Sequence, residues 1–407
     1  MKKNDATVIA VLDIGTSKIS CVVAKVYSWK KDFDILGAAS SKSCGIKRGV
    51  VVNIDEVVAT IKDVVGKAER LADLVVSAVY VGVSGGHIVG VNSNGVVGVR
   101  NNEEVSSVDV DRVIEAARAV PIAADQQVLH VLPQEFSIDK QDGVQNPLGM
   151  SGVRLEANVH VIKCGASMLQ NIVKCVERCD LQVNDVVFQS LAGQYVLVDN
   201  EKELGVCLVD IGAGTTDIAV FVEKTIRHSV VIPIGGDQVT NDLALAFRTP
   251  TVCAEILKVG QDINLSDMES VEQVDIPSVN GQDLQQVAKN KVVEVVHARY
   301  EELFLMIAAE LKRSGFYHKV AAGVVLTGGA CQVGFCKELA ERVFDLPVRC
   351  VAGCSGGSLD KLSDLEYSSA KGLLYYACDQ ISSGNFYTKP AKIKILTKVK
   401  QWLQYHF

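Results

Sequence analysis

A carboxylate, a glycine, two hydroxyls and an amine stand within six residues at Asp13-Ile14-Gly15-Thr16-Ser17-Lys18. Together they suit a polyphosphate. Gly15 lets the backbone turn tightly and present its N–H groups. Thr16 and Ser17 add hydroxyl donors, and Lys18 is a point charge for β- and γ-phosphates. Asp13 stands where a carboxylate can hold the water shell of Mg2+. The second half of the chain repeats the pattern at Asp210-Ile211-Gly212-Ala213-Gly214-Thr215-Thr216-Asp217. There Gly212 and Gly214 supply the turn, Thr215 and Thr216 the hydroxyls, and Asp210 a second carboxylate for Mg2+ through water. One such turn is a common hairpin; two of them can clamp one polyphosphate from both sides.

Two further groups fit the rest of a nucleotide. Leu326-Thr327-Gly328-Gly329-Ala330 follows a short apolar run and suits an adenosine-contacting loop. Glu255 and Lys258, three apart on an expected helix, share a face and reach a ribose or adenine edge. Taken alone, that pair would read as a surface ion pair.

The elements that must carry these groups follow from periodicity. Apolar runs at 8–12 and 205–209 enter the two turns, and alternation resumes at 19–23 and 218–222. Each unit is therefore strand, turn, strand, a hairpin rather than a strand feeding a helix. Two such units predict two similar lobes facing one another. Helices are predicted over 53–72, 109–119, 168–179 and 285–313, with strands over 75–83, 128–133, 157–163 and 323–326. Residues 264–281 read as a polar surface loop, and Asp237 and Asp242 as helix-start residues.

Composition excludes several classes. The net charge is −7, which gives nucleic acid no basic face. Five Lys and no acid fall in residues 389–407, so this tail is about +5 and residues 1–388 carry −12. An anionic bilayer would attract only the tail. No run of 18 apolar residues is present, and Met1 to Val11 lacks the long apolar core of a signal peptide. The 12 Cys show no Cys-x-x-Cys pair. Cys175 with Cys179, and Cys350 with Cys354, have helical spacing but no His or acid companions, so reduced thiols are expected rather than a metal site.

Taken in order, the four nucleotide elements resemble those of the actin, sugar-kinase and heat-shock ATPase superfamily. Within it, three stretches resemble the bacterial cell-division FtsA family: 79–88 (Val-Tyr-Val-Gly-Val-Ser-Gly-Gly-His-Ile), 128–136 (Val-Leu-His-Val-Leu-Pro-Gln-Glu-Phe) and 146–155 (Asn-Pro-Leu-Gly-Met-Ser-Gly-Val-Arg-Leu). Glu203-Leu204-Gly205-Val206-Cys207 running into the second turn is a fourth. The resemblance implies an α/β, actin-like two-lobed ATPase fold with a cleft between the lobes. Subdomain 1A would comprise 1–83, 161–192 and 360–383, and an inserted subdomain 1C 84–160. Subdomain 2A would comprise 193–230 and 300–359, and 2B 231–299. A linker at 384–391 would lead to an amphipathic membrane-targeting helix at 392–407.

The same resemblance implies ATP and Mg2+ as cofactors, with Gly235 and Gly236 in the nucleotide set and Gln189 as a candidate for positioning the attacking water. It implies actin-like filaments, binding of the FtsZ C-terminal peptide, recruitment of later division proteins, and a peripheral place on the cytoplasmic face of the inner membrane at the division site. The FtsZ peptide is acidic, so Lys289, Lys291 and Arg299 are candidate contacts. A sugar kinase would need a carboxylate base beside an acceptor pocket, for which no motif stands out. A heat-shock chaperone would need a peptide-binding domain after the ATPase. The actin-like component of type IV pilus machines shares the nucleotide motifs without needing the tail.

On a helical wheel of 100° per residue, Ile395, Val399, Trp402 and Leu403 cluster, and Leu396 and Phe407 extend the stripe. Lys394 and Lys398 lie on the opposite flank, and Lys400 stands at the edge where its stem can lie along lipid. Each large apolar side chain contributes roughly 1.5–3 kcal/mol at most, and each Lys about 1 kcal/mol near an anionic surface. Ordering the tail costs about 1–2 kcal/mol per residue. One tail therefore binds weakly, and a filament of many binds firmly.

Overall fold

The structure, a computed structural model, describes residues 6–27, 30–100, 104–260, 263–279, 283–351 and 367–383. The linker at 384–391 and the amphipathic helix at 392–407, with Ile395, Leu396, Val399, Trp402, Leu403, Phe407, Lys394, Lys398 and Lys400, lie outside the described residues. Among the described residues no helix is long and apolar enough to cross a membrane.

Both apolar runs that enter the turns become central strands. Ala6–Ile14 pairs antiparallel with Lys18–Tyr27, and that strand with Lys30–Lys42. On the other side Ala78–Val83 joins parallel to Ala6–Ile14, and Gln182–Phe188 lies outermost. The second lobe repeats this order. Val206–Ile211, Thr216–Val222 and Thr225–Ile232 form the meander, while Val324–Thr327 and Val348–Cys350 add in parallel. The two expected lobes are thus one topology built twice. Central strands covered on both faces need no polar alternation, as Val206 to Val209 and Ile218 to Val220 show by being wholly buried.

Helices fill the faces. Ile54–Ala72 buries Val57, Val58, Ile61, Val64, Val65 and Ala68 against the first sheet. It starts at Asn53, whose side-chain oxygen accepts from the Asp55 and Glu56 N–H groups. Ser368–Ser383 and Ala166–Glu177 complete that lobe, and Gly236–Ala246, Thr251–Gly260, Lys289–Arg313 and Cys336–Phe344 surround the second sheet.

An insert interrupts the first lobe. Val89–Gly98, Arg154–Gly165, Gln126–Ile138 and Gln141–Val144 form a sheet covered by the helix Ser107–Arg118. It has its own small core, including Val113, Ala117, Leu155, Ala157 and Val159. The insert does not hang free: Val89 pairs with Val230, which makes its sheet continuous with that of the second lobe.

Four expectations change. The helix expected over 285–313 begins at Lys289, because Leu284–Ala288 is a strand paired with Gln273–Pro277. Its alternation of exposed Gln286 and buried Val287 decides this locally. The loop expected over 264–281 therefore contains a strand, preceded by a 3-10 turn at Leu265–Glu269. Asp237 does stand in the first turn of its helix, but Asp242 is mid-helix. Cys350 ends a strand rather than standing in a helix, and Cys354 lies outside the described residues.

Candidate functional site

The two turns are built alike. Ile14 pairs with Ile19 and Ile211 with Thr216, leaving four-residue loops at 15–18 and 212–215. In each, the leading glycine N–H donates to the carbonyl three residues on, at 3.0 Å from Gly15 to Lys18 and 2.9 Å from Gly212 to Thr215. The register makes Asp13 equivalent to Asp210 and Gly15 to Gly212. Thr16 and Thr215 fall at different places in their loops. The loops lie against each other: a Cβ on Gly214 would stand 2.6 Å from Thr16 Oγ1.

A cleft of about 1380 Å³ opens over them. Asp13, Gly15, Thr16, Ser17, Lys18, Asp210, Gly212, Gly214 and Thr215 all line it. So do Gln189, Gly236, Glu255, Lys258, Gly328, Gly329 and Ala330. The sequence-derived set is thus brought together with two exceptions. Thr216 is fully buried and donates its hydroxyl to the Ile234 carbonyl at 2.8 Å, away from the cleft. Gly235 sits behind the second turn, where a Cβ would collide with the Gly212 carbonyl. Its neighbours Gly236 and Asp237 donate their N–H groups to Gly212 and Ala213 at 2.9 and 2.8 Å, which docks their helix on the turn.

Charge is concentrated at the floor. Burial pushes the Asp13 carboxyl up to about 6, with Lys18 opposing, Asp210 adding and a hydrogen bond from Gln189 lowering. Burial does the same to Asp210, again to about 6, against the pull of Lys18. Asp217, directly across the hairpin from Asp210, is raised well above the carboxylate range by burial and by Asp210, while a hydrogen bond from Ser84 lowers it. Two buried carboxyls on the cleft floor, Asp13 and Asp210, with Asp217 behind them, are a place for a cation. Among the described residues no three acidic, His or Cys groups are close enough to ligate one metal directly. The floor therefore fits a divalent ion held through its water shell.

Gln189 opens a short helix, and its side-chain N–H2 donates to Asp13 Oδ1. Its amide is thus engaged in holding that carboxylate. At the other end of the cleft Lys258 Nζ bonds Glu255 at 2.7 Å, Thr240 Oγ1 at 2.8 Å and the Gly236 carbonyl at 3.1 Å. Lys258 is therefore a strut, and the more exposed Glu255 faces the cleft. Tyr300 donates to the Ala330 carbonyl and fixes the Gly328-Gly329 loop from below.

Sequence reasoning passed over four contributors. Ser84 bonds Asp217 and Thr215 Oγ1, the latter at 3.1 Å, and ties the first lobe to the second turn. Asp217 carried a signal, because a hairpin places it opposite Asp210 and like charges there need a cation. Asp237, raised by burial, and Arg48 also line the cleft.

The three candidate partner cations are already matched. Lys289 pairs with Asp267 at 3.1 Å, Lys291 with Glu294 at 2.9 Å, and Arg299 with Asp242 at 2.5 Å and with Glu302. Arg299 joins two helices of one lobe.

Comparison with known proteins agrees with this architecture. A family model described as "SHS2 domain inserted in FTSA" matches residues 85–163, and one described as "Cell division protein FtsA" matches 207–372. "Cell division protein FtsA" of Pseudomonas aeruginosa is 44% identical, covering 98% of each chain. The chain belongs to the FtsA family. The FtsA of Escherichia coli K12 is 39% identical, over 99% of this chain and 97% of its own. Among solved structures, the "PilM-PilN type IV pilus biogenesis complex" aligns with a TM-score of 0.64 at 14% identity, over 91% of this chain and 98% of that one. MreB5 of Spiroplasma citri bound to ADP aligns with a TM-score of 0.55 at 11% identity, over 92% and 98%. These two share the actin-like fold, and FtsA relatives share the sequence. The SHS2 match coincides with the inserted sheet and helix.

Proposed function

We propose that this chain binds Mg-ATP between its lobes and serves cell division as a membrane-attached, actin-like filament that carries FtsZ. The observation that carries the nucleotide half is the pair of equivalent hairpins closing on one floor that holds the buried carboxyls of Asp13 and Asp210. In this reading Gly15, Thr16, Ser17, Lys18, Gly214 and Thr215 hold the phosphates. Asp13 and Asp210 face Mg2+ through water, and Glu255 with the Gly328-Gly329 loop contacts the nucleoside. Bound Mg2+ would neutralise phosphate and carboxylate charge together. Gln189 would fix Asp13 and so the metal's water shell; turnover is not required for the structural role.

The division half draws support from family membership. In this reading subdomains 1A, 1C, 2A and 2B take the bounds given above, and 392–407 serves as the lipid anchor. For the acidic FtsZ peptide, Lys291 is the most accessible of the three candidates, its side chain 60% exposed. Lys289 and Arg299 would have to leave their carboxylates.

Co-sedimentation of the full chain with FtsZ polymers and anionic vesicles tests this. Trp402→Glu should remain in the supernatant with vesicles alone, yet still pellet with FtsZ. Vesicle binding that survives at physiological salt would remove the tail from its role as anchor.

A further inference from the structure

Between the edge strand Lys30–Lys42 and the helix Ile54–Ala72, the chain forms a small hairpin, Ile46–Lys47 with Val50–Val51. Its tip residues are both left-handed, Arg48 at φ 49° and Gly49 at φ 74°. For glycine this is ordinary; for Arg it is uncommon and must be imposed by the surroundings. The surroundings do impose it. Gly49 N–H donates to Thr16 Oγ1 at 3.0 Å. A Cβ on Gly49 would collide with the Ser84 carbonyl, and one on Gly214 would stand 2.9 Å from Arg48 Cα. The tip is wedged between the two turns, and Lys47, Arg48 and Gly49 all line the cleft.

Charge gives this wedge a purpose. Arg48, Lys47 and Lys42 are exposed cations on the cleft wall. Among the described residues none of the three has a carboxylate partner, whereas Lys258 in the same cleft is paired. Unpaired cations held at the junction of two phosphate-type turns suit an anionic group that the turns alone do not neutralise. A guanidinium takes two phosphate oxygens at once.

We propose that Arg48 reads the terminal phosphate of the nucleotide and makes the site prefer a triphosphate to a diphosphate. The inference rests on the nucleotide reading above. Because its tip touches turns from both lobes, a terminal phosphate on Arg48 would tie the lobes together, and loss of that phosphate would release them.

Titration calorimetry of the full chain with Mg2+ and either a non-hydrolysable ATP analogue or ADP tests it. Arg48→Asn keeps a residue that tolerates the left-handed backbone. It should weaken the triphosphate analogue by about tenfold or more and ADP by less than about threefold. Arg48→Lys, which keeps charge without the fork, should fall between. Equal losses for both nucleotides, or no loss for either, would overturn the assignment. Failure of the parent chain to bind either nucleotide would overturn the nucleotide reading itself, and this inference with it.

Discussion

Asp13, Asp210 and Asp217 are the residues on which the site turns. An Asp pair directly across a hairpin repels when both ionise, and burial sharpens the effect. Asp13 and Asp210 each titrate near 6 rather than near 3.8. In the window between those values the folded chain holds more protons than the unfolded one. Their contribution to stability is therefore present below about pH 4 and is lost as pH rises through about 6. The difference in melting temperature between the parent and Asp210→Asn should shrink below pH 5 and widen in the variant's favour above pH 6.5. Added Mg2+ should raise the parent's melting temperature more at pH 7.5 than at pH 5. A variant whose melting curve tracks the parent across this range would show that Asp210 is not desolvated.

At the scale of elements, the junction of the insert with the second lobe is the least expected feature. His160 is buried between Asn92 Oδ1 at 2.7 Å and Ser229 Oγ at 2.8 Å, and Gln134 and Asn92 extend the network to the backbone of Ile226 and Arg227. A Cβ on Gly90 would collide with both Ser229 and His160, so the glycine permits the contact. Burial lowers the His160 pKa to about 3, so it stays neutral and neither locks nor frees the insert between pH 5 and 8. His160→Leu leaves Asn92 and Ser229 short of partners and should cost about 1–3 kcal/mol. Hydrogen exchange would check it: amides of Val89–Gly98 and Thr225–Ile232 should exchange faster, and those of Ala6–Ile14 should not change.

None of that junction was legible in the sequence. Periodicity shows which face of Val89–Gly98 is apolar but not which distant strand pairs with its end. Local patterns did better where the signal was local, as in the Asn53-capped helix and both hairpins. They failed at 284–288, where five residues of strand abut a 25-residue helix and the helical period runs across the boundary.

At the scale of the whole molecule, duplication is the governing fact, and it was readable. Asp-Ile-Gly occurs twice, and each copy sits between the first two strands of its lobe, whose five strands run in the same order although the second lobe's sheet continues into the insert. What the duplication could not convey is how the copies meet. Ser84 and Arg48 join the lobes at the turns; Ser84 lies in the 79–88 stretch, which gave no sign of that contact, and Arg48 belongs to no motif. The structure also decides which glycine can test the site. A side chain on Gly328, at φ 94°, would collide with Asp210 and the Ile211 carbonyl, so a substitution there disturbs the fold. A Cβ on Gly329 meets nothing within 4 Å, yet Gly329 lines the cleft. The most direct measurement is therefore titration calorimetry of Mg-ATP against the parent chain and Gly329→Phe, with melting temperature as the control for folding. The account predicts one ATP per parent chain and, in the variant, a loss of affinity of about a hundredfold at an unchanged melting temperature. Binding of equal strength in both chains would place the nucleotide elsewhere and contradict the account.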